Sequence, residues 1–147
     1  MKKRCPYSKP FHMYKLKKWR LVFKGVADIE KYEDGYTLLG IYRITKKCEK
    51  ALDSYEDFPI LYKKVFLNVI IASTLHKIMI YKMVSRFKYS PPTEEYYSVI
   101  KEGYEDWNFN NDNLIMAGKE SLKFKNNKGY RSKNWSYSKI IDKKSFR

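Results

Sequence analysis

At 147 residues the chain fits one domain with a real core and is too short to divide comfortably into two. A hydrophobic content of 44% with 17% aromatics excludes a wholly disordered chain, and a formal net charge of +15 would attract nucleic acid, an anionic membrane surface or another polyanion. Residues 119–147 carry 10 basic and 2 acidic residues, a net of +8, although high Lys, Tyr, Asn and Ile usage is also what an A+T-rich genome gives.

Residues 1–18 are basic, hold two prolines and show no clear period, so they read as an irregular lead-in. Trp19 to Lys24 alternates apolar and polar positions and predicts a strand that Gly25 breaks. A short extended piece follows at Val26 to Glu30, then a turn at Glu33 to Gly35, then a strand at Tyr36 to Ile44 with a bulge or close backbone approach at Gly40. Thr45 is a natural cap for a helix over Lys46 to Tyr55, in which Cys48, Ala51, Leu52 and Tyr55 form one apolar stripe.

Glu56 falls just past that helix, beside Asp57 and ahead of a proline turn at Pro59. A carboxylate at a helix-to-strand junction with apolar neighbours suits a general base, and it equally suits an ordinary solvated loop acid. Residue types alone leave both readings open.

Leu61 to Ile71 and Ile78 to Val84 predict a long hairpin joined through Ala72 to Lys77, which puts His76 in the turn as a solvated histidine. Thr93, followed by Glu94 and Glu95, starts a second helix through Trp107, with Gly103 marking close helix–sheet packing. Leu114 to Ala117 predicts a short last turn of helix that Gly118 ends. The domain expected over residues 1–118 is followed by a basic tail, 119–147, in which Trp135 and Tyr137 stand among cations. Such a mixture either binds single-stranded nucleic acid by charge and stacking or packs its aromatics back on the domain.

Cys5 and Cys48 lack CxxC spacing and nearby histidines, so they read as free thiols or a chance disulfide pair, with no metal site and no cofactor implied. Met1 to Lys18 has no apolar core of a signal peptide, and the apolar run Val65 to His76 is shorter than the ~20 residues of a spanning helix. A cytoplasmic protein with no membrane partner is expected.

Four strings occur in order: WRLVFKGVADIE, YTLLGIYRIT, ALDSYEDFPILYKKV and SPPTEEYYSVIKEGYEDWNF. Together with Arg-Cys-Pro at residues 4–6, they resemble the gamma-glutamylcyclotransferase-like superfamily over residues 4–117. The resemblance implies an α+β fold, a small mixed β-barrel flanked by helices. It implies a small-molecule γ-glutamyl substrate whose α-amine attacks its own side-chain carbonyl, releasing 5-oxoproline and an amine or amino acid. The family's catalytic glutamate lies in a pattern like LDxYEG, onto which Leu52, Asp53, Tyr55 and Glu56 map. Tyr62 corresponds to an aromatic near the family's pocket that would hydrogen-bond substrate.

The sequence departs from the family twice. The opening strand and Tyr-Gly-Ser-Asn loop, whose amides hold the substrate carboxylate, have no counterpart, which predicts weak or no activity in the chain as it stands. Asp57 stands where the family usually has glycine, and a second carboxylate there would both raise the Glu56 pKa and alter the turn that aims it. The alternative is a non-catalytic protein that binds an anionic ligand, a nucleotide or nucleic acid, through the retained pocket and the basic tail.

Overall fold

The computed structural model describes residues 1–132, 134–135 and 138–147. Two long strands, β1 (Lys9–Phe23) and β2 (Ala27–Arg43), pair in one two-stranded sheet, and β3 (Tyr62–Ile71) pairs with β4 (Thr74–Met83) in another. Three helices complete the α+β architecture: α1 (Lys46–Tyr55), α2 (Glu94–Asp106) and α3 (Asp112–Ser121). The chain forms two compact units, Met1–Lys15 with Leu38–Ser85 and Leu16–Thr37 with Arg86–Arg147.

The first unit is built on α1 and the β3–β4 hairpin. Thr45 caps α1 as expected, its hydroxyl accepting from the Cys48 amide at 3.1 Å. The stripe buries Cys48 and Leu52 against fully buried Cys5, with Ile44 and Tyr81 packed around them. Both cysteines are free thiols, and Cys5 Sγ donates to the Cys48 carbonyl at 3.4 Å. Burial and the neighbouring Cys48 push the Cys5 thiol up to about 11. On the hairpin, Val69, Ile71 and Ile78 form a second cluster with Phe11, Tyr14, Leu39 and Ile41.

The hairpin corrects one expectation. The strands run to within two residues of each other, joined by Ala72 and Ser73 at φ 47° and 64°, both in the left-handed region that two-residue hairpin turns require. His76 therefore lies in β4 opposite Val69, its ring 5.2 Å from that of Phe11, and not in a turn. Neither central residue is Gly, Asn or Asp, the residues that most readily take the positive φ of such a turn, which is why the sequence hid so short a loop.

The second unit holds the remaining parts of β1 and β2 with α2, α3 and the C-terminal segment. The irregular lead-in is corrected to strand: β1 begins at Lys9, and its period is broken by a bulge. Exposed Lys17 and Lys18 stand between buried Leu16 and Trp19, with Lys18 at φ 63°, so one extra residue shifts the alternation. The Glu33–Gly35 turn is likewise corrected, because β2 continues through it to Arg43.

Thr93 caps α2, accepting from the Tyr96 amide at 3.3 Å. Gly103 marks no close packing, since a methyl group there would meet nothing within 4 Å among the described residues. Gly118 does not end α3. The helix runs through it to Ser121, and the ring of Phe146 occupies the space a side chain would take.

The segment after α3 is tied down. The Ile141 amide donates to Pro92 O at 3.1 Å, the Glu94 amide donates to Lys139 O at 2.6 Å, and Ile141 is buried. Full burial of an isoleucine side chain contributes ~2–3 kcal/mol. Trp135 packs edge-on against Tyr96 and Phe146 against Tyr97, so these tail aromatics pack on the unit. Tyr137, the other aromatic singled out in the tail, lies outside the described residues.

Candidate active site

The chain leaves α1 through a turn that fixes Glu56. The Asp57 amide donates to Ser54 O at 3.4 Å and the Phe58 amide to Asp53 O at 2.9 Å, the paired bonds of a Schellman motif with Glu56 as its C-cap. Asp57 sits at φ 51°, the left-handed conformation that glycine adopts most readily and aspartate tolerates better than most residues. The Leu61 amide then donates to Asp57 O at 2.8 Å, and Tyr62 enters β3 buried and paired with Met83.

The Glu56 carboxylate is partly buried and forms no hydrogen bond or ion pair among the described residues. Burial raises its pKa from 4.5 to about 7, against the opposing pull of the Arg4 charge. Asp57 is exposed and is not among the causes of that rise, so the expected effect of a second carboxylate on Glu56 is not seen. The structure therefore brings Glu56 and Asp57 together through the backbone turn, with Tyr62 five residues beyond Asp57 at the head of β3.

Sequence reasoning passed over three neighbours. Arg4 lies over the ring of Tyr55, its guanidinium carbon 3.4 Å from the centroid, and its Nη2 donates to the Tyr55 hydroxyl at 2.5 Å. The Tyr81 hydroxyl donates to Asp53 Oδ1 at 2.5 Å, and Lys64 Nζ bonds both Asp53 Oδ2 at 2.9 Å and Glu49 Oε1 at 2.6 Å. Burial opposes ionisation of Asp53, but the bonds from Lys64 and Tyr81 outweigh it and hold its carboxyl below the usual range. Burial and then Asp53 push the Tyr81 phenol well up, with Glu56 adding to the rise. Asp53 is thereby locked as a structural carboxylate, and Glu56, three residues on, is left unengaged. The one sequence signal for Arg4 was the Arg-Cys-Pro string.

The second unit contains a cavity of about 350 Å³ lined by Arg20, Tyr32, Tyr36, Tyr89, Met116 and Phe124 among others. There the Arg20 guanidinium bonds Glu30 Oε1 at 2.6 Å, and Tyr89 donates to the same carboxylate at 2.7 Å. Among the described residues no group of three or more His, Cys, Asp or Glu side chains could hold a metal ion, and no helix is long and apolar enough to cross a membrane.

No family model and no curated protein matches the sequence. Two solved structures match its fold. A gamma-glutamyl cyclotransferase superposes with a TM-score of 0.63 at 15% identity, covering 98% of this chain and 86% of that one. This chain has the gamma-glutamyl cyclotransferase fold. An uncharacterized human protein superposes similarly, with a TM-score of 0.65 at 16% identity over 98% of this chain and 86% of that one. The α+β cyclotransferase-like architecture that the four strings implied is the one observed, and Glu56 ends α1 within it.

Proposed function

We propose that the protein is a gamma-glutamylcyclotransferase-type enzyme with Glu56 as its general base. One observation carries the reading beyond the fold: Glu56 is a partly buried carboxylate, unpaired among the described residues, whose pKa lies at about 7, and it is fixed at the end of α1 by a capped turn. A base poised near the working pH is both ionised enough to accept a proton and basic enough to hold it.

In the reaction, ionised Glu56 takes a proton from the substrate's α-ammonium group. The freed amine attacks the side-chain carbonyl carbon, forming a five-membered ring and a tetrahedral oxyanion. As the carbonyl re-forms, the bond to the leaving nitrogen breaks; Glu56 returns its proton to that nitrogen, then accepts the second proton that the ring nitrogen must lose and passes it to the released amine, which departs as an ammonium. The products are 5-oxoproline and an amine or amino acid, with no redox change and no cofactor consumed. Both reacting groups belong to one molecule, so ring closure is favoured by proximity and the protein's task is deprotonation and orientation. Tyr62 is assigned to hydrogen-bond the substrate, and Asp57 to hold the turn that aims Glu56.

The test is 5-oxoproline release from a panel of γ-glutamyl amines and γ-glutamyl amino acids. Weak release by the protein, and its further loss in Glu56→Gln, roughly 10²–10⁴-fold for removal of a general base, is the expected result. Equal rates in the two proteins would remove Glu56 from the mechanism, and no release from any member of the panel would overturn the reading.

A further inference from the structure

The cavity of the second unit serves no step of the reaction above, and no residue of α1 or of the turn that carries Glu56 lines it. Its walls come mainly from β1, β2 and α3, and its volume of about 350 Å³ falls at the lower end of the ~300–1,000 Å³ of small-molecule sites. Val22, Phe23, Ala117 and Ser121 are buried and form its floor, whereas Tyr32, Asp34, Met116 and Glu120 are exposed and form its rim. Between floor and rim stand Tyr36, Tyr89 and Phe124, the last two with ring centroids 5.2 Å apart, so most of the wall is aromatic or aliphatic. Gly35 lets the Tyr32 ring take its place, since a Cβ there would come within 2.8 Å of that ring.

Charge decides what such a cavity accepts. Three charged side chains line it: Arg20, Asp34 and Glu120. Arg20 is already neutralised. Its Nε and Nη2 both donate to Glu30 Oε1, at 2.9 and 2.6 Å, Tyr89 donates to the same carboxylate at 2.7 Å, and the guanidinium carbon lies 4.4 Å from the Tyr32 ring centroid. Among the described residues Asp34 makes no hydrogen bond or ion pair, and Glu120 pairs with Lys123 at 2.7 Å on the open surface, where such a pair contributes little. The lining therefore carries an excess of negative charge in a chain whose formal net charge is +15. A phosphate or carboxylate would face two carboxylates and a guanidinium whose bidentate edge is taken, which sets nucleotides aside. An ammonium group meets the two carboxylates and the faces of tyrosine rings, whose quadrupoles attract cations.

We propose that this cavity binds a small organic cation, an ammonium group carried on an aromatic or aliphatic body. The body lies over the apolar floor, against Phe23 and Phe124, and the ammonium sits toward the rim, where Tyr32, Asp34 and Glu120 stand. Apolar contact supplies the affinity that any compound of this shape would share. The carboxylates and the tyrosine faces supply the preference for positive charge. The assignment does not rest on the cyclotransferase reading, because the lining contains none of the residues given a part in that reaction.

The experiment titrates three probes of similar body and different head group: phenethylammonium, phenethyl alcohol and hydrocinnamate. Calorimetry reads affinity, and the NMR signal of the Met116 methyl group, assigned with Met116→Leu, reads location. The ammonium probe is expected to bind roughly 5- to 30-fold tighter than the alcohol and to shift the Met116 signal, with the carboxylate weakest of the three. In the double variant Asp34→Asn with Glu120→Gln, both at exposed positions, the ammonium probe is expected to lose most of its advantage while the alcohol binds as before. Thermal melting confirms that the variant is folded, and the comparison of probes on the wild-type protein needs no variant at all. An ammonium probe that binds no better than the alcohol or the carboxylate, keeps its full advantage in the double variant, leaves the Met116 signal unmoved or does not bind would overturn the proposal. Release of 5-oxoproline is a separate measurement, so the cyclotransferase reading stands or falls without reference to any of these outcomes.

Discussion

Phe58 donates its backbone amide to the carbonyl of Asp53, 2.9 Å away, and that bond closes the turn on which Glu56 is carried. Asp57, between them, bears a conformational cost at φ 51° that glycine would not. Asp57→Gly is expected to raise stability by up to ~1 kcal/mol in chemical denaturation. Because Asp57 contributes nothing to the raised pKa of Glu56, the pH midpoint of activity is expected to stay where it is in that variant. A midpoint shifted by a full pH unit would show that the Asp57 carboxylate does act on Glu56.

The rate profile follows from which form of Glu56 works. Only the ionised carboxylate accepts a proton, so kcat/KM is expected to fall below pH about 7, with a slope of one on a logarithmic plot. The limb should vanish in Glu56→Gln. In Arg4→Gln it should move to higher pH, because the charge that favours the ionised form is gone.

Glu56 also links stability to pH, with a sign opposite to that of an ordinary salt-bridged carboxylate. Its folded pKa, about 7, lies above its unfolded value of 4.5, so between these the native state binds more protons than the unfolded chain. Stability is therefore expected to fall as pH rises through this window. The full difference is worth on the order of 3 kcal/mol, less where solvent screens a partly exposed group. Glu56→Gln is expected to match the wild-type protein near pH 4.5 and to exceed it in stability at pH 8, measured by denaturant unfolding at both.

Two glycines should respond in opposite directions. Gly25 at φ 84° leaves no room for a side chain, since a Cβ there would lie 2.0 Å from the Tyr130 carbonyl oxygen. Gly25→Ala is expected to destabilise by more than ~2 kcal/mol through strain and backbone displacement. Gly103, inside α2 with open space around it, is expected to gain ~1 kcal/mol on replacement by Ala. Thermal unfolding of the two variants checks both signs. A destabilised Gly103→Ala would mean that α2 packs against something at that position.

The helical punctuation of the chain is legible in its local residue types. Thr45 and Thr93 cap the helices as their position demands, and the boundaries of α1 agree at both ends because a cap, a stripe and a following proline turn all specify them locally. The strands are harder to read. The Lys17–Lys18 bulge hides the first half of β1, and Ala72–Ser73 lacks the Gly, Asn or Asp that marks a two-residue hairpin turn. The C-terminal segment has no period to mark it as structured, yet Ile141, Trp135 and Phe146 are each held by residues of α2 or its approach.

The sequence by itself determined that a carboxylate would stand just past the first helix, since the cap and stripe of α1 fix where that helix stops. It did not determine whether that carboxylate would be an ordinary surface acid. Tertiary structure decided this by partly burying Glu56 while leaving it without a hydrogen-bond or ion-pair partner among the described residues, and by bringing Arg4 onto Tyr55 across 51 residues of chain. The physical reason is range. Capping and periodicity act within a few residues, whereas desolvation and the field of a charge depend on what the folded chain packs around a group.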